Sequence, residues 1–177
     1  YNIKKNTFEN EKEKIIIPDI IGGIGNQLFV IATAFAFAKD NNYKLMLDNR
    51  KDVYSYGKPR RTYNDTLFHS IPIYNNDNNK NEKKNFITIT ENGFASNTPI
   101  NKAKHIFLSK GYYQEAKYFN KYRNELIDLF TLNQGITNKV NELYKQHAIN
   151  INNDYLVAIH IRLDDVYTPI DADKRVY

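Results

Sequence analysis

Apolar and polar positions come in blocks along this chain, and two of the blocks are too apolar to have a solvent face. Residues Tyr1–Lys14 are polar and expected to form a frayed leader. Ile15, Ile16, Ile17, Ile20 and Ile21 then make an apolar run interrupted only by Pro18-Asp19. A run without alternation belongs to a strand buried on both faces of a parallel sheet. Leu28–Ala38 is apolar nearly all round, as a helix packed inside a larger body is. Asp40-Asn41-Asn42 ends it, and Tyr43–Leu47 predicts the next strand. Strand, glycine turn, helix and strand make one βαβ unit, expected to be right-handed.

From Asp48 to Lys84 the pattern weakens, and Arg60-Arg61 and the polar run Asn75–Asn85 are expected as exposed loop. Phe86–Thr90 and His105–Tyr113 predict strands. Phe119, Tyr122, Leu126 and Leu129 recur at helical spacing and predict an amphipathic helix over Ala116–Phe130. Gly135 is expected as a breaker before a helix over Ile136–His147. A linker at Asn150–Asp154 precedes a fresh apolar strand, Tyr155–Ile159. The pattern as a whole predicts an α/β fold on a parallel sheet, with no internal repeat.

Composition narrows the classes. A hydrophobic fraction of 41%, with 14 tyrosines and 10 phenylalanines, excludes a disordered chain. Lys+Arg 25 against Asp+Glu 20 gives a net charge of +5. The lysines are scattered rather than striped, which argues against nucleic acid as partner. A nucleotide diphosphate would be served equally well. With no cysteine there is no disulfide framework and no thiolate metal site. No apolar run reaches the ~18 residues of a membrane span, and Tyr1–Lys14 is too charged for a signal peptide. The expected location is therefore cytoplasmic, in a bacterial- or viral-type setting; an anchor upstream of Tyr1 would instead imply the Golgi.

Two short segments carry candidate chemistry. Gly22-Gly23-Ile24-Gly25-Asn26-Gln27 links the first strand to the first helix. It is not the dinucleotide fingerprint, since Leu28 stands where a glycine is required, and it lacks the Lys-Ser/Thr pair of a P-loop. Two readings stay open: a turn whose backbone N–H groups at Gly23, Gly25 and Asn26 approach a phosphate, or a plain strand-to-helix turn with Asn26 capping the helix. The paired amides Asn26-Gln27, opening an otherwise apolar helix, favour the first. The second segment is His160-Ile161-Arg162-Leu163-Asp164-Asp165, after the last apolar run. His160 and Arg162 are two apart and share a strand face. They emerge where open α/β sheets bind ligands. An ion pair of Arg162 with Asp164 or Asp165, or a metal held by His160 and the two aspartates, are the alternatives.

These residues resemble a family. Gly22–Phe29 is similar to the opening signature of family 11 glycosyltransferases, the α-1,2-fucosyltransferases. Gly111-Tyr112-Tyr113-Gln114-Glu115-Ala116-Lys117-Tyr118-Phe119 resembles their G-Y-x-Q-x-x-K-Y-F stretch, and His160–Asp165 their H-x-R-R-G-D motif. Leu163 stands in place of the second arginine and Asp164 in place of the glycine, whereas Asp165 matches. The resemblance implies a GT-B-type enzyme. Residues 15–149 would be its Rossmann-like N-terminal lobe, and 150–177 the incomplete start of a C-terminal, donor-binding lobe. It implies inverting, metal-independent transfer of L-fucose from GDP-fucose to a sugar hydroxyl, α-1,2 to galactose, with no cofactor beyond that donor. Arg162 and His160 would be catalytic. Gly23, Gly25, Asn26, His160, Arg162 and Asp165 would bind the donor. The expected partners are the nucleotide sugar and a glycan acceptor. Residues 1–177 alone are expected to transfer nothing. A non-catalytic glycan- or partner-binding homologue, and a GT-B enzyme using another nucleotide sugar, are the rival readings.

Overall fold

The computed structural model describes residues 13–50, 52–55, 58–74, 86–95, 104–147, 149–150, 155, 157 and 159. Strand β1, Ile15–Pro18, is buried at all four positions, as its unalternating sequence requires. Helix α1, Ile24–Asn41, packs across it and returns the chain to β2, Lys44–Leu45, parallel to β1. Asn42 closes α1 in the left-handed region (φ 57°), its N–H bonded to the Ala38 carbonyl. Met46 donates to the Ile16 carbonyl, and one residue later the chain changes partner. Strand β3, Leu47–Asp48, pairs in parallel with β6, Ile73–Tyr74. Between them β4, Asp52–Ser55, and β5, Lys58–Arg61, form an antiparallel pair.

Two further strands complete the main sheet: β7, Phe86–Thr90, followed by the short helix α2, Glu91–Ala95, and then β8, His105–Ser109. The order is β2-β1-β8-β7, with every neighbouring pair parallel. Ile16, Val30, Ile31, Leu45, Ile106 and Leu108 form the centre of the core between sheet and α1. Beyond β8 come two 3₁₀ turns, Ala116–Tyr118 and Asn120–Tyr122, then α3, Arg123–Leu129, and α4, Gln134–Gln146.

Several elements differ from the sequence expectation, each for a physical reason. Helix α1 begins four residues before Leu28, because Gly23 in extended backbone (φ −73°, ψ 174°) lets Ile24–Gln27 form its first turn. The single strand expected over Tyr43–Leu47 is split at Met46 by the change of partner from β1 to β6. Strand β8 stops at Ser109, since Lys110 (φ 54°) and Tyr113 (φ 52°) lie in the left-handed region. The helix expected over Ala116–Phe130 is α-helical only from Arg123. Phe119 (φ −139°, ψ −5°) breaks it, and its ring sits edge-on to Phe29, 5.8 Å between centroids. Phe119 and Tyr122 are three apart, the spacing of a 3₁₀ turn as well as of one face of an α-helix. Gly135 does not precede α4 but lies in its first turn, after the Asn133 cap. Arg60 and Arg61 belong to β5, not to a loop. Tyr155, Val157 and Ile159 are exposed and in no strand, so the expected Tyr155–Ile159 strand is absent at those positions. A parallel strand needs neighbours to pair with. The polar run 75–85 and most of the linker fall outside the described residues.

Candidate functional site at the carboxyl edge of the sheet

The loops that leave β1 and β8 meet over the carboxyl ends of those adjacent strands. Asp19 extends the pairing by donating its N–H to the Leu108 carbonyl (2.7 Å). Its carboxylate accepts from the Ser109 hydroxyl (2.9 Å) and from Arg50 Nη2 (2.9 Å). Arg50 also donates through Nε to Asp48 (2.7 Å), so one guanidinium joins the ends of β1 and β3. Burial alone would lower the Arg50 pKa, but the bonds and charges of Asp48 and Asp19 outweigh it and hold it above the ordinary value. A cation this firmly engaged locks the edge in place.

The glycine turn stands beside this network. Gly22 is buried with φ 74°, a conformation that favours glycine, and a Cβ there would lie 2.5 Å from Asn26 Nδ2 and so displace the Asn26 side chain. Gly23 and Gly25 are different. Both are exposed, and a Cβ at either would meet nothing within 4 Å. The fold itself gives no steric reason for these two glycines. No side chain caps α1, and its first turn holds no acidic residue. Its leading N–H groups therefore lack intrahelical acceptors, and the positive end of the helix dipole is open.

Asn26 is not the helix cap; that position is Gly23. Asn26 instead accepts through Oδ1 from Gln114 Nε2 at 2.7 Å, across 88 positions of sequence. Gln27 is fully buried and turned inward, its Nε2 donating to the carbonyls of Gly22 (3.1 Å) and Arg61 (2.9 Å). It braces the turn from below against β5, so only one of the two amides faces the open side.

The partner loop is held as tightly. Gly111 lies against Glu91, whose Oε2 accepts the Tyr112 N–H (3.1 Å); a Cβ at Gly111 would overlap that carboxylate. Tyr113 is fully buried and donates its hydroxyl between the carbonyls of Ser109 (3.0 Å) and Ile89 (3.3 Å). Burial first, and the Glu91 charge next, push its pKa well above the ordinary phenol value. Two non-glycine residues with positive φ within four positions are costly, and here they aim Gln114 at α1.

Of the sequence candidates, Gly23, Gly25 and Asn26 lie together on this edge. His160, Arg162 and Asp165 lie outside the described residues. Gln114, Asp19, Arg50 and Glu91 carried no assigned role from sequence. Gln114 was within reach of it, standing in the G-Y-x-Q stretch. The Asp19–Arg50–Asp48 network was not, because isolated charges in an irregular region give no periodic signal. Among the described residues no group of three or more His, Asp or Glu could hold a metal ion, and no helix is long and apolar enough to cross a membrane. No family model, curated protein or solved structure matches the chain.

Proposed function

We propose that this chain carries the acceptor-side lobe of a GT-B-type glycosyltransferase that moves L-fucose from GDP-fucose to a sugar hydroxyl, α-1,2 to galactose, with inversion. The observation that supports it is the Asn26–Gln114 contact. Two of the three motifs that resemble the α-1,2-fucosyltransferases, far apart in sequence, touch at the carboxyl edge of a parallel sheet. Gly23 and Gly25, which packing does not require, open the end of α1 to an anion at that same edge.

In this reading Arg162 neutralises the β-phosphate of the departing GDP. That charge grows as the glycosidic bond breaks, so the interaction is stronger in the transition state than in the ground state and lowers the barrier. His160 donates to the same diphosphate, and Asp165 helps to hold the nucleotide. Gly23, Gly25 and Asn26 present backbone N–H groups to the donor from the opposite side. Arg162 does the work that a divalent ion does elsewhere, and transfer is expected to persist in EDTA. Strict dependence on added Mn²⁺ or Mg²⁺ would point to a metal-bridged diphosphate instead.

The direct test is Arg162→Ala in the natural chain that carries these residues. Turnover of GDP-fucose is expected to fall by ~10²-fold or more with the circular dichroism spectrum unchanged. Near-normal turnover and GDP affinity would refute the assignment.

A further inference from the structure

Along the flank of α1, below the glycine turn, a groove of about 570 Å³ opens between α1 and the segment 119–130. Gly25 of the turn above reaches it, and Leu28, Phe29, Ala32, Phe119, Leu126 and Phe130 are among its apolar lining. Ala32 and Leu126 are buried, the Phe29–Phe119 pair packs edge to face, and Ile127 is 54% exposed beside them. Two polar side chains join the lining, Asn120 and Arg123, both exposed. Arg123 makes no ion pair among the described residues, although Glu125 and Asp128 are close in sequence. The volume is that of a small-molecule site.

Two kinds of occupant suit an apolar groove of this size. The exposed Tyr155, Val157 and Ile159 of this chain share one face when extended. An extended segment, however, must also satisfy its backbone N–H and C=O groups. Helices use theirs internally, so a groove walled by side chains of α1 and α3 offers an extended segment few backbone partners. A small amphiphile has no such requirement. Its hydrocarbon would cover the phenylalanines and leucines, and its head would meet a guanidinium that no carboxylate occupies among the described residues. Arg123 can present two parallel N–H groups to an anionic head, and a phosphate can take both while offering a further oxygen to Asn120 and a larger charge than a carboxylate.

We propose that this groove binds a single-chain lipid phosphate, its alkyl or isoprenoid chain against Phe29, Phe119 and Leu126 and its phosphate on Arg123. The groove shares Gly25 with the proposed donor turn, but the inference rests on Arg123 and the apolar lining rather than on sugar transfer, and the Arg123 and Ile127 variants test it apart from GDP binding. It is tested by calorimetric titration of the full chain with dodecyl phosphate below its micelle concentration. One-to-one binding is expected, with dodecyl maltoside and laurate each several-fold weaker and inorganic phosphate not bound. Arg123→Gln should weaken dodecyl phosphate about tenfold, as loss of a charge-assisted contact does. Ile127→Glu, which sets a carboxylate beside the groove, should abolish binding. Both sites are exposed, and unchanged thermal unfolding of the variants confirms intact folds. Equal binding of the neutral maltoside, unaltered affinity in both variants, or displacement of the amphiphile by a peptide of residues 151–162 would each overturn the proposal.

Discussion

Gly22 and Gly25 stand three residues apart and answer to different demands. At Gly22 a side chain would collide with Asn26 and be strained by the left-handed φ the backbone already holds, so Gly22→Ala should lose about 1–2 kcal/mol in urea unfolding. Gly25 sits in the first turn of α1 with open space above it. Gly25→Ala should leave stability unchanged or raise it by about 0.5–1 kcal/mol, since alanine favours the helix. If the turn receives a diphosphate, the same change should weaken GDP binding. Increased stability together with weakened binding marks a functional glycine; lost stability with unchanged binding would mark a structural one. The sequence showed that this segment is a turn into a helix but not which glycine serves which purpose. Only the position of Asn26 in space separates them. Gln27 was misread for a related reason, because polarity in sequence does not reveal that an amide points inward to brace a neighbouring strand.

At the scale of elements, legibility followed the source of the stabilising contacts. Strand β1 and helix α1 were readable because β1 is buried at all four positions and α1 at every position from Val30 to Ala38 except Phe35, which leaves nearly unbroken apolar runs. The segment 116–130 was not, because its aromatic spacing fits two helical periods and contacts with α1 decide between them. Phe119 meets Phe29, and Tyr122 meets Phe35. Asp40 fastens the same segment to the end of α1, accepting from Lys121 Nζ (2.6 Å) and the Tyr122 hydroxyl (2.7 Å). Burial would raise the Asp40 pKa, but those two bonds outweigh it and hold it below the ordinary value of 3.8. A carboxylate with a depressed folded pKa stabilises fully above its unfolded value and loses that contribution as pH falls through the folded one. The thermal stability of Asp40→Asn should therefore lie below that of the parent at neutral pH and converge with it below pH 3.8. A constant gap across the acid range would contradict the assignment. Helix α4 depends on a local device instead. Asn133 accepts the Ile136 N–H (3.0 Å) and donates to the Asp65 carbonyl (2.8 Å). Asn133→Ala should cost ~1 kcal/mol, seen in chemical unfolding, with helical signal at the start of α4 lost first.

At the scale of the whole molecule, the parallel order β2-β1-β8-β7 brings the ends of β1 and β8 side by side although 90 positions separate Asp19 from Ser109. Hydrophobic blocks predicted the α/β class and the first βαβ unit. They did not predict the antiparallel β4–β5 pair, whose strands Asp52–Ser55 and Lys58–Arg61 are short and polar. The turn and the G-Y-x-Q stretch could be recognised separately in sequence, but only the sheet order makes them neighbours. In the proposed function this edge serves a guanosine diphosphate sugar. The most direct test of this is calorimetric titration of the natural chain carrying these residues with GDP, GDP-fucose and UDP-galactose. The expected result is binding of GDP and GDP-fucose, weakened by Gly25→Ala and by Arg162→Ala, with no heat from UDP-galactose. Preference for UDP-galactose, or no binding of any guanine nucleotide, would contradict it.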